Sequence, residues 1–227
     1  MEQTIVVIDD FYENPDEMRR FALGGDYKDI SHATNKGYNG LYFHPGQEFV
    51  HNVMCRIAKC LRFPILYDPD PNHVRKQAGF KILTEEKQSA KTSLVHVDYT
   101  RWAGVLNMTP PPAPRLFTSF WKYKEWDLEG FHDREAMKRV IKKYGIKPAD
   151  LEKVFEHSAD LSKWEEVDRV YYKFNRLILF SGNMFHVSGP GYGNSIETAK
   201  MTQTFFFEER TDEAEKRLAP AGWRVAV

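Results

Sequence analysis

The sequence predicts a mainly β protein with flanking helices. Several short segments are rich in β-branched and aromatic residues and are separated by turn residues, a pattern typical of strands. The predicted strands cover residues 77–83, 93–98, 104–108, 116–123, 170–181, 184–187 and 201–208. So many short strands, with few helices among them, favour a double-stranded β-helix, the jelly-roll form of a two-sheet architecture.

The N-terminal third, residues 1–75, is predicted to be a scaffold for this core. Residues 4–8 form a strand, and Asn14 followed by Pro15 begins a helix to about residue 23, because these residue types favour helix starts. A second helix over Gln47–Leu61 carries an apolar stripe at helical spacing. We expect this second helix to pack against the outside of the barrel.

A change of composition between residues 122 and 170 predicts a helical insertion into the jelly-roll core of residues 76–209. Segments 133–144 and 148–158 are charged and helix-favouring, with apolar residues at helical spacing. An insertion of this length, about 125–165, is either a lid over a binding site or a helical pair that packs on the exterior. The sequence leaves both alternatives open.

Length and charge set limits on the function. With 227 residues, of which 42% are hydrophobic, the chain can bury one substantial core, so we expect a single domain over 1–227. Lys plus Arg equals Asp plus Glu, 32 each, so no net field favours nucleic acid or an anionic membrane. The N-terminus does not have the pattern of a secretion signal, and no stretch approaches the ~18 apolar residues of a membrane span. We therefore expect a soluble, cytoplasmic protein.

The most informative residues are His96, Asp98 and His186. Side chains alternate between faces along an extended strand, so His96 and Asp98 point the same way and can share one ion. His186 follows a predicted turn at Gly182 and Asn183 and begins the next strand. Two imidazoles and one carboxylate form a facial triad that leaves the opposite coordination positions open, as in non-haem Fe(II) oxygenases.

In the order and spacing of these residues the chain resembles the Fe(II)/2-oxoglutarate-dependent dioxygenase superfamily, in its prolyl-hydroxylase-like and phytanoyl-hydroxylase-like branches. The resemblance covers about residues 76–209. In that superfamily a basic residue after the second histidine binds the distal carboxylate of 2-oxoglutarate, and Lys200 stands in its place, with Thr202 where a Ser or Thr is common. Lysine replaces the commoner arginine, so this contact would be made at a single point.

The resemblance implies a hydroxylase that uses Fe(II), 2-oxoglutarate and O₂. Asn107, on the next predicted strand, is a further candidate for hydrogen bonding 2-oxoglutarate or the metal-bound carboxylate, and Lys81, Tyr172 and Arg176 are candidates of the same kind. Among substrates we expect an amino-acid-like small molecule or a peptide, and neither nucleic acid nor membrane. The sequence does not indicate an oligomeric state.

Tyr99, Arg101 and Trp102 directly follow the His-x-Asp motif, at the rim where a substrate would enter. They are predicted either to contact the substrate or to serve as structural plugs. Two other functions stay open, namely a cupin-like metal enzyme that does not use 2-oxoglutarate and a non-catalytic jelly-roll binding protein. Succinate release distinguishes the first from a 2-oxoglutarate oxygenase, and metal content distinguishes the second.

Overall fold

The computed structural model describes residues 5–29, 40–70, 77–86, 94–113 and 115–227. The strands are β1 (Ile5–Ile8), β2 (Lys28–Asp29), β3 (Leu41–Phe43), β4 (Ile65–Tyr67), β5 (Phe80–Leu83), β6 (Trp102–Asn107), β7 (Phe117–Tyr123), β8 (Trp164–Tyr171), β9 (Leu177–Phe180), β10 (His186–Ser188), β11 (Lys200–Glu209) and β12 (Arg224–Ala226). The α-helices are α1 (Pro15–Leu23), α2 (Gln47–Leu61), α3 (Arg134–Tyr144) and α4 (Asp212–Leu218). Shorter 3₁₀ helices cover Pro148–His157, Leu161–Lys163 and Ala219–Ala221.

The strands form two antiparallel sheets. The large sheet has the order β1-β9-β6-β11-β5-β3-β2, with β4 beside β11 and β12 beside β4. The small sheet has the order β10-β7-β8, and His96 extends it through a single bridge to His186. Between β6 and β11 the chain passes from one sheet to the other at every step except the step from β7 to β8. This arrangement is the predicted double-stranded β-helix.

The two faces of β11 show where the interior lies. Phe205 and Phe207 belong to the same apolar cluster as Val53 and Ile57 of α2, so α2 covers the outer face of the large sheet, as predicted. The opposite face looks towards the small sheet. There Phe120 of β7 meets Phe180 of β9 edge to face, with ring centroids 5.2 Å apart. The space between the sheets, called the interior here, also receives Lys200 and Thr202, because residues two apart share a face.

The segment between β7 and β8 packs on the outside of the small sheet. Val140 of α3 and Val154 of the following 3₁₀ helix join Tyr123 and Phe185 in one buried cluster, together with Val95 and Val97. This cluster lies behind the metal-binding motif, because Val95 and Val97 alternate with His96 and Asp98. The placement therefore favours exterior packing of the insertion over a lid. Within it, α3 is confirmed, whereas the second predicted helix is a 3₁₀ helix.

Other elements differ from the sequence-based expectation. Of the strand predicted over 93–98, the described residues form only the single bridge at His96. The long strand predicted over 170–181 is two strands, because the chain turns at Asn175, whose φ is 64°. The Asn175 side chain donates to the carbonyl of Tyr12 and accepts from its N–H, both at 2.8 Å, which holds this turn against the N-terminal segment. No helix in the described part of the chain is long and apolar enough to cross a membrane.

Candidate metal centre

His96, Asp98 and His186 bring their ligating atoms together in the interior. These atoms all lie within 4.8 Å of one another. His186 Nε2 is 3.2 Å from Asp98 Oδ2, and His96 Nε2 is 3.9 Å from Asp98 Oδ1. Two ligands about 2.1 Å from one ion and at right angles to each other lie about 3 Å apart. Small movements would therefore allow the three residues to coordinate a single ion.

Hydrogen bonds to the backbone orient both imidazoles. His96 Nδ1 lies 2.9 Å from the carbonyl oxygen of Leu94, and His186 Nδ1 lies 2.9 Å from that of Met184. A carbonyl oxygen only accepts hydrogen bonds, so each Nδ1 carries the proton and each Nε2 keeps its lone pair for the centre of the cluster. Such bonds behind a ligand set its tautomer and its direction, as found around metal-binding histidines.

The surroundings keep His96 neutral, which a metal ligand requires. Removal of the ring from bulk water, and then the neighbouring His186, lower the pKa of His96 to about 4, against the opposing effect of Asp98. Asp98 and His186 are buried, whereas 37% of the His96 side chain is exposed. His96 therefore lies on the more open side of the cluster, where ligands can enter.

The backbone holds the two halves of the motif together. His96 and His186 exchange N–H to carbonyl hydrogen bonds at 3.2 and 3.0 Å, and the Asp98 N–H donates to Gly182 O at 2.6 Å. A side chain at Gly182 would collide with Thr100, because its Cβ would lie 2.7 Å from the Thr100 carbonyl oxygen. Glycine thus permits the close approach that places Asp98 beside His186.

Lys200 enters the interior from β11 and is only 3% exposed. Its Nζ donates to Ser188 Oγ at 2.8 Å and to the carbonyl oxygen of Gly189 at 2.6 Å, and it lies 5.4 Å from the centroid of the Tyr172 ring. Among the described residues, no carboxylate is within ion-pair distance of this ammonium group. Burial, and then the charge of Lys81, lower the pKa of Lys200 to about 7. An anionic ligand would remove this penalty.

Polar side chains of the large sheet share the interior face with Lys200. Thr202 lies opposite Asn107 of β6 and opposite Lys81 of β5, so the three share the interior face. The Asn107 amide bonds to the backbone of Thr109, donating to its oxygen and accepting from its N–H at 3.2 Å each. Asn107 therefore stands beside Thr202, but its amide is largely occupied by the chain that follows β6.

The structure places Tyr99, Arg101 and Trp102, the substrate-contact candidates that follow the motif, in different surroundings. Tyr99 stays at the rim, 49% exposed, and its hydroxyl donates to Glu152 of the insertion at 3.3 Å. Trp102 stacks on Phe207 in the cluster on the outer face of the large sheet, and its Nε1–H donates to Glu209 at 3.1 Å. Arg101 pairs with the same Glu209 at 3.4 Å. The structure thus brings neither Arg101 nor Trp102 to the triad, and Trp102 is a structural plug.

Sequence reasoning missed two polar residues near Lys200, namely Ser188 and Thr118. Ser188 had a detectable signal, because it lies two residues after His186 and so shares its face of β10. Thr118 had none, since only strand register places it opposite Ser188, with its hydroxyl 2.9 Å from that of Tyr172. Arg176, another candidate, lies outside this group and pairs with Asp9 at 2.6 Å.

The comparisons with known proteins give a family without a known activity. The profile of the family described as "Family of unknown function (DUF6445)" matches residues 1–190 of the chain. The chain belongs to this family. No curated protein sequence matches this DUF6445 chain.

Solved structures resemble the DUF6445 chain at low identity. They include a non-heme alpha ketoglutarate dependent carbocyclase, SnoK, from nogalamycin biosynthesis (TM-score 0.49, 12% identity, 100% of this chain and 93% of that chain covered). They also include the epimerase SnoN from the same biosynthesis (TM-score 0.48, 12% identity, 92% of this chain and 80% of that chain covered). A third is the Fe(II)/(alpha)ketoglutarate-dependent dioxygenase TqaL (TM-score 0.41, 11% identity, 92% of this chain and 84% of that chain covered). Likenesses of this size assign no activity to the DUF6445 chain.

Proposed function

We propose that this protein is a non-haem Fe(II)- and 2-oxoglutarate-dependent oxygenase that hydroxylates an amino-acid-like small molecule or a peptide. One observation carries the proposal. A buried lysine with no carboxylate partner among the described residues shares the interior with an oriented His-Asp-His cluster. The cluster supplies the three ligands of a facial triad. Lys200 supplies a cation for the distal carboxylate of a 2-oxoglutarate that would chelate the metal.

The donor set fits Fe(II). His96 and His186 each offer an Nε2 lone pair, and Asp98 adds one negative charge, a mixed nitrogen and oxygen set that leaves part of the coordination sphere open. When bound, Fe(II) with 2-oxoglutarate and O₂ would supply the oxidising chemistry. The protein's own contribution is orientation and the exclusion of water, to which the Phe120–Phe180 pair in the interior contributes.

Lys200 is suited to hold the distal carboxylate of 2-oxoglutarate. A buried ammonium group without an anion is costly, and its two present partners, Ser188 Oγ and Gly189 O, are neutral. A carboxylate would restore the charged form and form a charge-assisted hydrogen bond of about 1.5–3 kcal/mol. Thr202, which shares the face with Lys200, is placed to add a second donor.

The proposal is tested by titrating the protein anaerobically with Fe(II) and 2-oxoglutarate and recording the weak visible charge-transfer band of their chelate. We expect a saturable band with one iron per chain. His96→Ala and His186→Ala should abolish the band and the iron binding, whereas the control His44→Ala, outside the triad, should keep both. Bound iron without the band would favour a metal enzyme that does not use 2-oxoglutarate. Absence of stoichiometric iron would favour a binding protein.

Turnover provides a second criterion. With O₂ admitted, the loaded protein should convert 2-oxoglutarate to succinate, and the rate should rise when a true substrate is present. Candidate amino acids and short peptides can therefore be screened by succinate release, with mass spectrometry of the product to detect the added oxygen atom. Substrate oxidation without succinate release would contradict the proposal.

A further inference from the structure

A histidine and a cysteine lie one turn apart on α2, outside the candidate metal centre. His51 and Cys55 are four residues apart, so their side chains are neighbours on the helix surface. The Cys55 Sγ lies 3.6 Å from His51 Nε2, within hydrogen-bonding distance for sulfur. The structure thus sets a thiol directly against an imidazole nitrogen.

A buried tyrosine orients the other side of this imidazole. Tyr67 of β4 is fully buried, and its hydroxyl oxygen lies 2.9 Å from His51 Nδ1. Strands on both sides hold Tyr67 in place, since it lies opposite Phe207 of β11 and opposite Arg224 of β12. A nucleophile beside a base that a third group orients is the arrangement that activates nucleophiles in proteins.

Both tautomers of His51 assist attack by the Cys55 sulfur. If Nδ1 carries the proton, it donates to the Tyr67 oxygen, and Nε2 accepts the thiol proton. If Nε2 carries the proton, the Tyr67 hydroxyl donates to Nδ1, and the Nε2–H donates to the sulfur and stabilises negative charge there. After proton transfer both ring nitrogens carry a proton, and each has an acceptor, namely the Tyr67 oxygen and the Cys55 sulfur.

The second cysteine of α2, Cys60, provides an internal comparison. Both cysteines are free thiols, but Cys55 is partly buried and Cys60 is exposed. The residue one turn before Cys60 is Arg56, which donates to the Phe11 carbonyl oxygen at 3.1 Å and offers no base. Exposure alone therefore predicts faster reaction of Cys60, whereas activation by His51 predicts faster reaction of Cys55.

We propose that Cys55 is a nucleophilic thiol and a modification site that exchanges with small disulfides, with His51 as its base and Tyr67 as the residue that positions His51. Disulfide exchange needs a nucleophilic sulfur and a group that takes up one proton, and this cluster supplies both. Tyr67 belongs to the apolar cluster on the outer face of the large sheet. The inference is therefore independent of the proposed function of the interior.

The exchange is balanced in atoms and electrons. The Cys55 sulfur forms a bond to one sulfur of the disulfide R–S–S–R, and the bond between the two reagent sulfurs breaks. His51 Nε2 takes up the thiol proton and passes it to the leaving sulfur, which departs as R–SH. Cys55 is thereby oxidised to a mixed disulfide, and the departing sulfur is reduced.

The first test measures the initial rate at which 2-hydroxyethyl disulfide modifies each cysteine at pH 7, with acid quenching and peptide mass spectrometry. This reagent is neutral, so charges near either thiol do not bias its approach. An ordinary thiol is only a few per cent ionised at neutral pH, so activation by His51 should make Cys55 react about tenfold faster than Cys60. A rate at Cys55 that does not exceed the rate at Cys60 would overturn the inference.

The second test uses variants of the cluster. His51→Asn should lower the rate at Cys55 about tenfold, and Tyr67→Phe, which keeps the ring, should lower it about three- to tenfold, the worth of one neutral hydrogen bond. The rate at Cys60 should stay constant in both, and the control Asn52→Ala, an exposed neighbour on α2, should change neither rate.

A purely structural role of His51 or Tyr67 gives the opposite result. A loosened fold exposes the partly buried thiol, so the rate at Cys55 would then rise in the variants. An unchanged or raised rate at Cys55 in folded His51→Asn overturns the inference. If the variants do not fold, the comparison of Cys55 with Cys60 in the unmodified chain decides.

Discussion

Replacing Lys200 with methionine should weaken 2-oxoglutarate binding by a factor of about 10 to 100. Methionine keeps most of the apolar packing of the lysine stem and deletes the ammonium group. The lost charge-assisted hydrogen bond is worth about 1.5–3 kcal/mol, and about 1.4 kcal/mol corresponds to a tenfold change in affinity. Burial lowers the pKa of Lys200 to about 7, so part of the binding free energy is used to charge the amine, which reduces the expected effect.

The assay is the anaerobic titration of Fe(II)-loaded Lys200→Met with 2-oxoglutarate, followed by the charge-transfer band. Iron binding should be unchanged, because the triad does not include Lys200. Lys138→Met serves as the control, since Lys138 is an exposed helix lysine paired with Glu135 at 2.7 Å. Unchanged 2-oxoglutarate affinity in Lys200→Met would refute the reasoning and show that another residue holds the distal carboxylate.

Three further predictions concern pH, packing and the insertion. Burial lowers the pKa of Lys200 to about 7, and a bound carboxylate would raise that pKa, so binding takes up a proton above pH 7. The affinity for 2-oxoglutarate should therefore fall by up to about tenfold per pH unit above pH 7, and Lys200→Met should lose this dependence. A flat pH profile of the unmodified chain would contradict this prediction. Trp102→Ala should destabilise the fold by about 3–5 kcal/mol in chemical denaturation and leave iron binding intact, since Trp102 packs on Phe207 away from the triad; lost iron binding in a folded variant would place Trp102 in the site. In hydrogen exchange, Fe(II) and 2-oxoglutarate should protect the amides of β10 and β11. The amides of α3 should gain no more protection than those of α2, because α3 packs on the outer face of the small sheet. Strong protection of α3 would identify a lid.

Patterns within short stretches of sequence predicted much of this protein correctly. The apolar stripe over Gln47–Leu61 predicted α2 with the bounds the structure has, because a helix of this length shows its buried face in its own periodicity. The alternation around His96 and Asp98 predicted their shared face even though the segment forms only one bridge. Apolar side chains at Val95 and Val97 turn to the outer cluster, and this burial preference enforces the alternation.

The sequence by itself determined α1, α2 and α3, β1, most strands of the jelly-roll core and the candidate ligands, because each depends on a local pattern of side chains. Only the tertiary structure decided which side chains meet. The register of β6 against β11 turned Trp102 to the outer face and placed Asn107 beside Thr202. The register of β5 against β11 placed Lys81 next to Lys200, and that of β10 against β7 placed Ser188 opposite Thr118. Register depends on backbone pairing between segments far apart in the chain, and a shift of one residue reverses every face, so no local pattern contains it.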